Sequence, residues 1–137
     1  MVWTEIVVRL AVSVAIGGLI GLERELEHKP AGLRTIILVC LGSTIFILLG
    51  LELGLVNSEP GRIVAGVVTG IGFLGAGAII RARGEVYGLT TAATIWLASG
   101  LGLAIGAGYY LLAITACVFV LIVLRILGIV ERALSKS

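Results

Sequence analysis

Charged side chains are scarce in this 137-residue sequence, so the few that lie in or beside long apolar runs are where chemistry would reside. Glu5 and Arg9 stand four residues apart at the start, on one face of any helix they share, and can pair there. Arg9 lies about a turn and a half into the run, where a charge costs roughly 2.5–3.5 kcal/mol. Two readings stay open: an arginine that snorkels and is neutralised by Glu5, or one that faces a cavity inside the protein. The next charges cluster in Leu22–Thr35. Glu23 closes the first apolar run and Arg34 opens the second, so a carboxylate–guanidinium pair across the mouth of a hairpin is expected, with Thr35 capping the second helix. Glu52 and Glu59 flank the following turn. Two carboxylates can hold magnesium loosely, but a solvated loop with an acid near a helix N-terminus is the favoured reading. His28 is the single histidine and aspartate is missing altogether, so a solvated loop histidine is expected rather than a metal ligand. Cys40 and Cys117 lie in apolar stretches without a CxxC and read as buried, reduced thiols. No nucleophile–histidine pair, P-loop lysine or metal cluster points to an enzyme, and no cofactor is expected.

The glycines invite a sharper hypothesis. Gly70-Ile71-Gly72-Phe73-Leu74-Gly75 satisfies the G-x-G-x-x-G pattern of dinucleotide sites. That chemistry requires a strand before the motif, a helix starting after it and an acid about 20 residues on. Here the motif sits inside an apolar run that continues to Gly77 and Ile80, so a nucleotide site is rejected. An interrupted helix that turns carbonyls toward a cavity, as in transporters, remains an alternative. Thr90 and Thr91 open the fourth apolar run and can cap its helix, while Trp96 lies deeper and its indole N–H needs a partner.

These residues must be positioned by membrane helices. The chain is 59% hydrophobic and 13% charged, with a mean hydropathy of +1.19. A soluble domain of this size would need far more polar surface. The expected fold is an all-α compact bundle of five transmembrane helices in a single domain, at about 3–22, 35–53, 63–80, 89–107 and 109–127. Ser13, Gly17 and Gly21 form one small-residue stripe, Gly66, Gly70 and Gly77 a second, and Thr94, Ala98, Gly102 and Gly106 a third. Such stripes admit a neighbouring backbone, within one chain or between two, and make a homodimer the expected assembly. Five spans put Arg24, Lys29, Arg34, Arg81, Arg83, Arg125, Arg132 and Lys136 on one side against Arg62 on the other. That bias places the N-terminus outside and the C-terminus in the cytoplasm. The start lacks an early Lys or Arg and a cleavage site, so the first helix is expected to stay as an anchor.

Several of these stretches in series resemble the MgtC/SapB family. They are Gly21-Leu22-Glu23-Arg24-Glu25, Ala31-Gly32-Leu33-Arg34-Thr35 with Leu41-Gly42-Ser43, Arg62 followed by the glycine run from Gly70 through Gly77, and Gly88 through Trp96. The resemblance covers about residues 16–108; the fifth run is similar only in character. It marks Glu23, Arg24, Arg34, Thr35, Arg62, Gly70, Gly72, Gly75, Gly77, Thr90, Thr91 and Trp96 as the motif residues. It implies a bacterial inner-membrane protein connected with growth at low magnesium, a regulator of other membrane machinery such as the F-type ATP synthase rather than a magnesium carrier. A cation transporter or channel is the alternative, and nucleic acid is not expected as a partner. Longer members carry an ACT-like soluble domain, which is not expected here. Glu59 stands where the family usually has aspartate, and Gly66 where glutamine is common.

Overall fold

The computed structural model describes residues 2–55, 60–82 and 85–134. The helices are α1 (Trp3–Leu26), α2 (Leu33–Glu52), α3 (Pro60–Gly77), α4 (Leu89–Gly106) and α5 (Tyr110–Ile122). A π-helical turn, Val123–Leu127, continues α5 into α6 (Gly128–Leu134). Between α3 and α4 lies an antiparallel pair, β1 (Ile80–Ala82) and β2 (Glu85–Tyr87), in the register Ile80↔Tyr87 and Ala82↔Glu85. On that ribbon the Tyr87 hydroxyl donates to the Glu85 carboxylate, which pushes the phenol pKa up.

Four segments are long and apolar enough to cross a bilayer: Trp3–Leu26, Leu33–Glu52, Leu89–Gly106 and Tyr110–Val130. The third apolar helix, Gly61–Gly77, is shorter. Its 17 residues span about 26 Å against a hydrocarbon core of about 30 Å. The chain is thus a multi-pass α-helical membrane protein. The span expected at 63–80 starts and stops earlier, because Ile80 belongs to β1. α1 runs four residues beyond the expected Leu22 and carries Glu23 and Arg24 into the packed interior.

Small residues let α1, α2 and α4 press together. A Cβ added to Gly17 would lie 3.0 Å from Ile37 Cα, and one on Gly21 2.8 Å from Leu33 Cα. On α4, a Cβ at Gly102 would meet the Cys40 carbonyl at 2.1 Å, and one at Gly106 the Ile47 Cβ at 2.9 Å. The first and third small-residue stripes therefore seat α2 between α1 and α4, and Ile20, Ile36, Cys40, Ile95 and Ile105 fill the junction. The stripe on α3 does not pack this way. Gly66, Gly70, Gly72 and Gly77 have nothing within 4 Å of an added Cβ, and Gly75 makes only an ordinary 3.6 Å approach to the Ala92 carbonyl.

Two helix ends close by the same hydrogen-bond pattern with different residues. At the end of α4, Gly108 N–H donates to Ile105 O and Tyr109 N–H to Ala104 O, with Gly108 left-handed at φ 88°. At the end of α1, His28 N–H donates to Glu25 O and Lys29 N–H to Arg24 O, with His28 at φ 55°. Both are Schellman closures, which favour glycine at the left-handed position.

Candidate polar site at one end of the bundle

Polar groups occupy three levels of the α1–α2–α4 core. At one end Arg9 Nη1 donates to the Gly106 carbonyl at 2.6 Å. A guanidinium at the C-terminus of a helix meets orphan carbonyls and the negative end of the macrodipole, which suffices to hold it there. The expected Glu5–Arg9 pair does not form: Glu5 is exposed, and no ion pair joins them among the described residues. Proximity along one helix lost to a carbonyl that packing places directly against the guanidinium.

The middle level is a hydroxyl cluster. Thr44 Oγ1 lies 2.9 Å from Gly102 O, 3.0 Å from Cys40 O and 3.1 Å from Ser13 Oγ. With one proton it donates to one carbonyl at a time and can accept the hydrogen of Ser13. Beside it, Ser43 Oγ lies 3.0 Å from both Val39 O and Ser99 Oγ. Thr44 and Ser99 were not legible as functional in the sequence. Their one signal is a hydroxyl inside an apolar run, and helical serines and threonines often bond their own i−4 carbonyl.

The third level carries the buried charges. Glu23 and Arg24 are 4% and 3% exposed. Arg24 Nη1 stands 3.7 Å from Glu23 Oε2, and Nη2 reaches Thr91 Oγ1 at 3.4 Å. Adjacent helical residues point about 100° apart, so this contact is long, and Glu23 Oε2 and Arg24 Nε have no hydrogen-bond partner. Each buried ion costs several kcal/mol of desolvation, which poor pairing repays incompletely. The two charges open onto a chamber of about 270 Å³ between α1, the start of α4 and the π-helical turn. Glu27, Lys29 and Thr90 line its polar wall; Val123, Leu124, Leu127 and Gly128 line the other. π-Turns recur at functional sites. The site thus holds fixed charges of both signs at a helix-bundle end, with donor and acceptor capacity to spare.

The remaining motif residues fall elsewhere. Arg34 is exposed and does not pair with Glu23, which turns into the bundle instead. The task given to that pair falls to Glu25, whose Oε2 accepts the Leu33 N–H at 3.0 Å and ties α1 to the start of α2. Thr35 does not cap α2, which begins at Leu33 after Gly32 without a side-chain cap. Thr90 and Thr91 do not cap α4 either: its N-cap is Gly88, at φ 88°, where an added Cβ would strike the Ala78 carbonyl at 2.0 Å. Instead Thr91 meets Arg24, and Thr94 Oγ1 donates to Thr90 O at 2.7 Å. Trp96 lies on the outer face of α4, 51% exposed, rather than in the core. Arg62, Thr35, Gly66 and Gly70 line a mainly apolar groove of about 730 Å³ between α2 and α3. Glu52 is exposed at the end of α2, and Glu59 lies outside the described residues.

This buried Glu–Arg end, with its threonine partner and the stripes that seat the helices, coincides with the stretches on which the resemblance rests. A family model, the MgtC family, matches residues 10–133. The chain belongs to the MgtC family. It is 42% identical over 129 residues to the Escherichia coli K12 protein named "Putative magnesium transporter YhiD", covering 89% of this chain and 60% of that one. It is 39% identical to Protein SapB of Bacillus subtilis, over 97% of this chain and 61% of that one. Protein MgtC of Salmonella typhimurium LT2 is 43% identical over 84% of this chain and 49% of its own length. The chain therefore spans about half to three-fifths of these curated relatives. No solved structure matches it.

Proposed function

We propose that this MgtC-family chain is a non-enzymatic regulator in magnesium homeostasis and membrane energetics, seated in a bacterial-type cytoplasmic membrane. The observation that carries the reading is the sealed core. Between the hydroxyl level and the Glu23–Arg24 level stand Ile20, Ile36 and Ile95, each at most 2% exposed. A hydrated magnesium ion gives up its waters reluctantly and needs oxygen ligands, so an isoleucine plug opposes conduction along this seam. An orientation with the C-terminus in the cytoplasm is supported by Arg24, Lys29 and Arg34 lying at the same end as the close of α5.

Regulation implies a partner. The α2–α3 groove and the open glycines of α3 support a homodimer, because a second backbone could approach where this one leaves room. In that case Gly70→Leu shifts the detergent-solubilised species toward monomer, and an unchanged oligomer sinks the dimer. The regulated complex is the F-type ATP synthase on the strength of the family resemblance; tagged chain that retains none of its subunits would remove that partner.

The second reading, a magnesium transporter or channel, is supported by the name of the Escherichia coli relative and by the glycine-rich, open face of α3. The groove beside that face argues the other way, since among the described residues Arg62 is the charge that lines it and its walls are mostly apolar. Sealed liposomes decide between them. The regulator produces no magnesium flux above protein-free vesicles; saturable, protein-dependent flux overturns it.

A further inference from the structure

The chamber of Glu23 and Arg24 does not end among polar groups. It shares Thr90, Val123 and Leu124 with an apolar groove of about 230 Å³ that runs between α4 and α5. The groove follows α4 from Thr90 to Leu97, about 10 Å of helix. A charged pocket at a bundle end, continuous with an apolar channel along the membrane-facing helices, is shaped for an amphiphile. The charges say which kind. Among the described lining residues two carboxylates, Glu23 and Glu27, face two cations, Arg24 and Lys29, so that wall is neutral overall but carries both signs. A ligand with a net charge meets as much repulsion as attraction there, whereas a zwitterion can place each end against its opposite.

The unpartnered atoms narrow it further. Glu23 Oε2 is a buried acceptor without a donor, and Arg24 Nε is a buried donor without an acceptor. A primary ammonium supplies N–H donors to the first, and phosphate oxygens accept from the second. A quaternary ammonium has no N–H and leaves the carboxylate unsatisfied. We propose that chamber and groove together bind one phosphatidylethanolamine molecule, with its ammonium at Glu23, its phosphate at Arg24 and Lys29, and one acyl chain between α4 and α5. The bound lipid completes the hydrogen bonding of the buried pair and clamps the end of α1 to α4 and the π-turn. The proposal is independent of whether the chain regulates or transports, because a flux assay does not read lipid adducts.

The test is native mass spectrometry of the full chain in detergent with equal amounts of phosphatidylethanolamine, phosphatidylcholine and phosphatidylglycerol. Phosphatidylethanolamine adducts should exceed either competitor by about tenfold, which corresponds to about 1.4 kcal/mol. Glu23→Gln should abolish that preference, but a buried substitution can also unfold the chain. Lys29→Gln, at an exposed residue, and Leu97→Trp, which fills the groove, keep the test decisive; each should lower retention several-fold. Equal retention of the three lipids overturns the proposal, as does preference for phosphatidylglycerol or retention unchanged in both of these variants. Free phosphoethanolamine that displaces the adduct as well as the whole lipid does would make the ligand a solute and refute a lipid site.

Discussion

Substituting alanine for Gly102 is the most stringent test of how this bundle is held together. The added Cβ would stand 2.1 Å from the Cys40 carbonyl and 2.8 Å from Ser43 Cβ. Ordinary contact begins near 3.4 Å, and the nearest obstruction is backbone, so α4 must back away from α2 by roughly 1 Å. That displacement stretches the 2.9 Å Thr44–Gly102 hydrogen bond toward 4 Å, beyond useful length. The bond contributes about 0.6–1.7 kcal/mol by the range measured between membrane helices. Overpacking of a tight core costs about 1–3 kcal/mol more. The expected loss is therefore about 2–5 kcal/mol, read as a shift in the midpoint of denaturation in mixed detergent micelles. Gly100→Ala, on the same helix, is the matched control, because its Cβ meets nothing within 4 Å and alanine favours helix. Thr44→Val should also cost less in the Gly102→Ala background than alone, since one of the bonds it removes, that to Gly102 O, is already broken. Equal stability of the Gly102 and Gly100 variants would refute the argument, and strictly additive Thr44 losses would show that the helices had not separated.

Arg9→Gln should lose about 1–2 kcal/mol as the guanidinium leaves the carbonyl end of α4, whereas Glu5→Gln should change stability by less than about 0.5 kcal/mol. Equal losses on the same denaturation curve would restore the Glu5–Arg9 pair. His28→Gly should raise stability by about 1 kcal/mol, because it relieves a left-handed histidine in the Schellman turn of α1; a lower midpoint would mean that the imidazole makes a contact worth more than the strain.

Composition and periodicity were enough to establish a helical membrane protein, and the four segments long enough to cross a bilayer fall close to the apolar runs that announce them. The reason is physical: within lipid every backbone group must be satisfied inside its own segment, so apolar length and helix are nearly the same statement. The glycine stripes were equally visible, but their use was not. Gly17 and Gly102 touch a neighbouring helix, while Gly66 and Gly70 with the same spacing touch nothing. Spacing specifies a smooth face and is silent on which face receives a partner, since that depends on how five helices divide the space around α2.

The charged site was half legible. Glu23, Arg24 and Thr91 stood out as motif residues, yet the pairing inferred from neighbouring helix ends went to the wrong arginine. Four residues of extra helix decide that outcome, because continuing α1 past Leu22 rotates Glu23 and Arg24 into the bundle and leaves Arg34 in the open. Arg9 shows the same limit from the other end. A charge in an apolar run must find a partner, and the sequence alone establishes that need. Which partner satisfies it, the carboxylate one turn away or a carbonyl 97 residues along the chain, was decided by tertiary packing, because folding brought the C-terminus of α4 within 2.6 Å of the guanidinium.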